Sequence, residues 1–265
     1  MTARAVTNND MVYLQWSYAE KIRGCLGFSV HRINLDKNTE RSLPTWVGFQ
    51  ANSDVPRERQ TSDVWPIQKY QWKDVTAHRG SRYRYRIVPM VGLPTALVPA
   101  LELAQETDAV HLTPDFGDVS VYFNRGIIST QAIAGLVPQK PDGQPDEGAL
   151  RHLIEQPSSE VRNRLAGKVD NALFAFLARA ANEGGECYCA LYELSDGQLV
   201  EALLQSPNVH ILLSNTGEDD ATNSAARARL HAANIDIVDR MLKNGHIGHN
   251  KFVVYVDPTG APRRV

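Results

Sequence analysis

Up to about Thr113 the apolar residues alternate with polar ones. In "MVYLQWSY" Val12, Leu14 and Trp16 fall on one side of a period-two pattern. "LGFSVHRINL" repeats it through Phe28 and Val30, and "YRYRIVPM" and "LELAQETDAVHLT" do so again, with Gly, Pro and Asn between the runs. Period two is the signature of half-buried strands. Six or seven short strands at this spacing predict an all-β sandwich. Beyond that point the period changes. "DVSVYFN" (118–124) reads as a buried strand. "VRNRLAGKVDNALFAFLARAANEGG" (161–185) has helical spacing at Leu173, Phe176, Leu177 and Ala180 and stops at Gly184–Gly185. "ECYCALYEL", "NVHILLSN" and "GHNKFVVYVD" read as strands. Between them come the helices "DGQLVEALLQS", with Asp196 as its cap, and "NSAARARLHAAN". This alternation predicts an α/β layered domain. The expected fold is therefore multidomain, with a sandwich over residues 1–113 and an α/β lobe over 114–265. "VPQKPDGQPDEG" (137–148) is assigned to a surface loop.

Charge refines this division. The chain of 265 residues carries −2 overall, split as +3 through Thr113 and −5 after it. That balance argues against a wholesale nucleic-acid binder but leaves room for a local basic groove. Arg82, Arg84 and Arg86 share one strand face, opposite Tyr83 and Tyr85. They form either a solvated outer face or a phosphate-contacting stripe. No apolar run approaches the roughly 18 residues of a membrane span, and "MTARAVTNND" has no apolar signal core. A cytoplasmic location is expected. Cys25, Cys187 and Cys189 are then expected as reduced thiols, with "CYC" packing on a strand.

The chemistry concentrates in "GHIGHNKFVVYVD" (245–257). Side chains two apart on a strand share a face, which sends His249 and Lys251 into one cleft. A lysine ammonium holds an anionic oxygen, and an imidazole can attack phosphorus or protonate a leaving alkoxide. His246 stands three residues before His249. Without a supporting Cys or carboxylate the two do not make a zinc set, so no metal and no cofactor are assigned, and His246 is expected to touch substrate. Asn215 sits at the end of "NVHILLSN", where α/β folds bind ligands, and is expected to face the same cleft. Asp219 and Asp220 are read as capping residues of the following helix.

Two resemblances follow from these residues. Trp16 on an early strand and Tyr83–Tyr85 on a late one resemble a fibronectin type III domain, in which a tyrosine closes a corner by hydrogen bonding. "HNKFVVYVD" resembles the His-x-Lys signature of the phospholipase D superfamily, H-x-K-x4-D. His249 and Lys251 match it, and Asp257 follows after five residues instead of four. The strand and helix order over residues 116–265 is similar to one lobe of that fold. The resemblance implies a metal-independent phosphodiesterase, either a nuclease or a general phosphodiester hydrolase, working through a phosphohistidine, with His249, Lys251 and Asp257 catalytic. It implies a phosphodiester substrate, either nucleic acid or phospholipid. It also implies a second lobe, since the family joins two such motifs and this chain shows one. The Gly-Ser-x-x-Asn segment usual after the aspartate is also missing before "APRRV". The expectation is a first half whose second lobe is another chain or a second copy. The alternatives are a non-catalytic interaction fragment that needs a partner lobe, a phospholipase, and an inactive regulator.

Overall fold

The computed structural model describes residues 2–49, 60–126, 133, 136–215, 218–241 and 248–265. The chain divides into two compact units, Met1–Phe123 and Asn124–Val265.

The first unit contains β1 (Thr2–Thr7), β2 (Val12–Ser17), β3 (Cys25–Asn34), β4 (Thr39–Ser42), β5 (Pro44–Thr45), β6 (Gln60–Thr61), β7 (Gln71–Asp74), β8 (Arg82–Leu93), β9 (Ala96–Pro99), β10 (Gln105–Glu106), β11 (Val110–His111), β12 (Asp115–Phe116) and β13 (Val119–Ser120). One sheet has the order β1-β2-β7. A larger one runs β10-β8-β3-β4, with β9 and β11 also on β8. The alternation in β2 sends Val12, Leu14 and Trp16 into a core that β3 and β8 complete with Phe28, Val30, Tyr83, Tyr85 and Ile87. Tyr83 Oη accepts the His78 N–H (3.1 Å), and Tyr85 Oη donates to Asp74 (2.9 Å). On the outer face of β8 the arginines are paired: Arg82 with Asp36, Arg84 with Glu106, and Arg86 with Glu40 and Glu106. Those pairs make the stripe a solvated, internally compensated face.

The second unit contains α1 (Glu147–Glu155), α2 (Glu160–Ala166), α3 (Val169–Glu183), β14 (Glu186–Leu191), α4 (Gly197–Gln205), β15 (Val209–Ser214), α5 (Glu218–Ala232), β16 (Asp236–Arg240), β17 (Phe252–Val256) and β18 (Pro262–Arg264). Its sheet has the order β16-β15-β14-β17-β18. β14, β15 and β16 run parallel, while β17 and β18 are antiparallel to their neighbours. Leu177 and Ala180 of α3, Val200 and Leu203 of α4, and Ala226 and Leu230 of α5 pack on Cys187, Cys189, Val209, Ile211, Leu213 and Tyr255. Burial raises both thiols, Cys189 to about 12, which keeps them as inert packing groups.

The expected fold class is corrected. The chain is 36% strand and 24% helix, with five separate sheets and five helices among the described residues, and the α/β layered phospholipase D-like lobe is not shown. The reason lies in the strands themselves. A sheet covered on both faces needs near-continuous apolar strands, but β14 and β15 alternate. Their odd-numbered residues meet the helices. Glu186, Tyr188 and His210 lie on the other face, where Tyr188, Val238 and Phe252 are 44%, 57% and 45% exposed. Among the described residues that face carries no helix. Two local expectations change as well. The run 118–124 is not a buried strand: β13 holds only Val119 and Ser120, and Val119, Tyr122 and Phe123 are exposed. The helix expected over 161–185 is two helices. Gly167 takes φ 66° and ends α2 before α3 starts at Val169, a left-handed step that glycine makes without steric cost. No helix among the described residues is long and apolar enough to cross a membrane.

Candidate functional site

β14, β15 and β16 run parallel, so their carboxyl ends share one edge of the sheet, and the antiparallel β17 starts from that edge. This brings together Tyr192 after β14, Asn215 after β15, Arg240 at the end of β16, and the segment Gly248–Lys251 before β17. His249 and Lys251 are not in the strand, which begins at Phe252. Their side chains nevertheless converge: Lys251 Nζ lies 3.1 Å from His249 Nε2. An ammonium can only donate, so Nε2 is the acceptor and carries a lone pair, with the imidazole proton on Nδ1. Both side chains are exposed.

Tyr192 organises the pair. Its ring centroid is 4.5 Å from that of His249, and Lys251 Nζ sits 4.4 Å from the ring centre, within cation–π range. Asn223 of α5 holds Tyr192 in place. Fully buried, it donates from Nδ2 to Tyr192 O (2.8 Å) and Ser214 O (3.0 Å), and Oδ1 accepts the Leu194 N–H (2.7 Å). Arg240 is the second organiser. Its carbonyl accepts the Asn215 N–H (3.1 Å), and its Nη1 donates to Asn250 Oδ1 (2.5 Å). Gly248 is buried against that guanidinium, where a Cβ would lie 3.1–3.3 Å from three of its atoms. Nearby Asp239 is taken up by Arg227 and His231. Lys251 and Arg240 thus make this edge cationic, which suits an anionic ligand.

Of the residues singled out from the sequence, His249 and Lys251 are brought into contact. Asn215 lies on the same edge, joined to them through Arg240. His246 falls outside the described residues. Asp257 lies at the far end of β17, beside Glu186, at the start of β14. Six residues of extended chain separate it from Lys251 by roughly 20 Å. Its carboxylate is occupied there. Oδ1 accepts from Thr259 Oγ1 (2.6 Å), Thr259 N (2.9 Å) and Ala261 N (3.1 Å), and Oδ2 accepts from Arg263 Nε (2.5 Å). The Thr259 hydroxyl, then Arg263, hold this carboxyl well below the usual carboxylate range. Asp220 lies inside the first turn of α5 and faces Arg227 at 3.6 Å.

Tyr192, Asn223 and Arg240 were not found from the sequence. "ECYCALYEL" read as one unbroken strand places Tyr192 within it, whereas the strand ends at Leu191 and Tyr192 turns onto the edge. Asn223 is one polar residue in a polar helix, and only the fold shows that it is buried. Among the described residues no three His, Cys, Asp or Glu side chains group to hold a metal ion. No protein-family model matches the chain, and no curated protein matches it.

Proposed function

We propose that the chain acts on phosphodiesters through His249 and Lys251, with the chemistry of a phospholipase D-type phosphodiesterase and without a metal as electrophile. One observation carries the reading: the 3.1 Å contact that aims the lone pair of His249 Nε2 at the Lys251 ammonium, over the Tyr192 ring. A phosphoryl oxygen entering beside Lys251 takes over that ammonium as its counter-charge. The freed lone pair attacks phosphorus, the N–P bond forms as the P–O bond to the leaving group breaks, and the leaving oxygen takes a proton from an acid. Water then cleaves the N–P bond and restores the imidazole. The acid is a second histidine from a second copy or a partner lobe. A neutral base and a protonated acid together require a bell-shaped dependence of rate on pH.

The test is hydrolysis of a chromogenic phosphodiester by the full chain in excess EDTA. Wild type is expected to turn over, His249→Ala to fall to background, and Lys251→Met to lose roughly a hundredfold, the scale of one transition-state charge contact. Turnover that stops in EDTA, or that survives His249→Ala, sinks the proposal. A second reading, an interaction fragment that needs a partner, is favoured by the exposed Tyr188, Val238 and Phe252 on the sheet face that carries no helix among the described residues. A folded wild-type chain with no turnover means that a second copy does not supply the acid, and moves the search to a partner lobe.

A further inference from the structure

The first unit contains a cavity of about 170 Å³ lined by Arg32, Asn34, Lys37, Thr39, Arg41, His78 and Tyr83. We propose that it binds a phosphate-class oxyanion. Arg32, Asn34 and Tyr83 form the buried floor; Lys37, Thr39, Arg41 and His78 form the exposed rim. Arg32 is 3% exposed, donates from Nη1 to Asp74 (2.7 Å) and Thr76 (3.1 Å), and stacks its guanidinium 5.0 Å from the Tyr83 ring centre. Asp74 is saturated by Arg32, Tyr85 and Thr76. The floor is therefore a locked, neutral ion pair whose arginine lines the cavity, and Lys37 and Arg41 add two positive charges above it.

The distribution of charge on this hairpin makes the site specific. Strand alternation places Arg32, Asn34, Thr39 and Arg41 on the inner face of the β3–β4 pair, where Arg32 is registered with Arg41 and Asn34 with Thr39. Like charges directly opposite each other cost stability; Asp74 offsets Arg32, and among the described lining residues no carboxylate offsets Lys37 and Arg41. The hairpin's own acids are turned away. Asp36 accepts from Arg82 N (2.7 Å) and Nε (2.8 Å), and Glu40 accepts from Arg86 (2.9 Å). The outer arginines are thus compensated, while the inner cations face a cavity. Asn34 fixes the rim, because its Oδ1 accepts the N–H groups of Asp36 (3.0 Å) and Lys37 (2.9 Å). A phosphate group, with several oxygens in tetrahedral array, answers two rim charges above a buried arginine better than a single carboxylate does.

The ligand's phosphate is either free or part of a nucleic-acid backbone, and the test separates the two. The full chain carrying Lys251→Ala, which removes the exposed lysine of the other cationic edge, is titrated by calorimetry at fixed ionic strength with inorganic phosphate, a nucleoside monophosphate and an oligothymidylate. Saturable binding is expected to weaken by about tenfold or more in Lys37→Ala/Arg41→Ala, the loss of two charge-assisted contacts, and to be unchanged in Arg84→Ala on the compensated outer face. Both rim residues are exposed, and an unchanged melting temperature shows that the variant folds. Phosphate or monophosphate binding with this pattern supports a free-anion site, and the same pattern with the oligothymidylate alone supports a backbone site. No saturable binding of any of the three, or equal weakening by Arg84→Ala, overturns the proposal.

Discussion

Asn223 ties two strand ends to a helix beneath the candidate site, and its removal has a calculable cost. Asn223→Ala takes the acceptor from the buried Leu194 N–H and a donor from each of two carbonyls, Tyr192 O and Ser214 O. Ser214 O retains Arg227 Nη2 at 2.7 Å, so its loss is the smallest. A buried N–H left without its partner costs roughly 1–3 kcal/mol, and each further lost bond costs about 1. Alanine returns about 0.6 kcal/mol of helix propensity. The net is about 3 kcal/mol, which at a urea m-value of about 2 kcal/mol/M lowers the midpoint by roughly 1.5 M. The assay separates the two units. All four tryptophans, Trp16, Trp46, Trp65 and Trp72, lie in the first unit, while the five α-helices given above lie in the second, which holds every α-helix among the described residues. Helical circular dichroism therefore follows the unit that holds Asn223, and tryptophan fluorescence serves as a reference on the other. A midpoint shift in the helical signal below about 0.5 M urea would refute the reasoning that Asn223 anchors this edge.

Two further outcomes are expected. Asp63 is held down to about 2, first by its bond to the His31 imidazole, while burial opposes. Its folded value lies below its unfolded one, so its stabilisation is present above about pH 4 and is lost as pH falls through about 2. The carboxylate is 45% exposed, which limits the effect to about 1 kcal/mol or less. Urea midpoints of wild type and Asp63→Asn are expected to converge between these two pH values, and a constant gap would contradict it. Asp257→Asn is expected to lower the melting temperature by weakening the turn into β18, and to leave phosphodiester hydrolysis at the wild-type rate. A loss of kcat in a folded Asp257→Asn would return that residue to the site.

Local signals were legible in the sequence. The alternation of Val12, Leu14 and Trp16 marks β2, and Asp196 caps α4 by accepting the Leu199 N–H at 2.9 Å. His249 and Lys251 meet, but not through the shared strand face that their spacing suggests, because both precede β17. What could not be read depends on partners distant in the chain. Gly167 inside an apolar periodic run gives no sign that it, and not Gly184, is the first stop. The arginines of β8 read as either a solvated face or a phosphate-contacting stripe until Asp36 and Glu40 of the β3–β4 hairpin and Glu106 of β10 pair with them. The alternation in "ECYCALYEL" was visible, but its consequence, one sheet face without a helix layer, was missed because strand–helix order alone suggests layers on both sides.

Site and fold are set by the same register. β14 pairs with β17 so that Cys189 faces Val253 and Cys187 faces Tyr255, and these residues belong to or pack on the core beneath α3, α4 and α5. Continued past Ala190 and Phe252, the pairing carries Lys251 and Asn250 alongside Leu191 and Tyr192. Lys251 therefore reaches the Tyr192 ring because thiols and aliphatic side chains fix β17 several residues away. A slip of one residue would turn Val253 and Tyr255 out of the core and Phe252 and Val254 into it. The same slip would move Lys251 off Tyr192 and dissolve the His–Lys contact. The core thus penalises the one-residue slips that would misalign the site, and the exposed residues 249–251 take their placement from it.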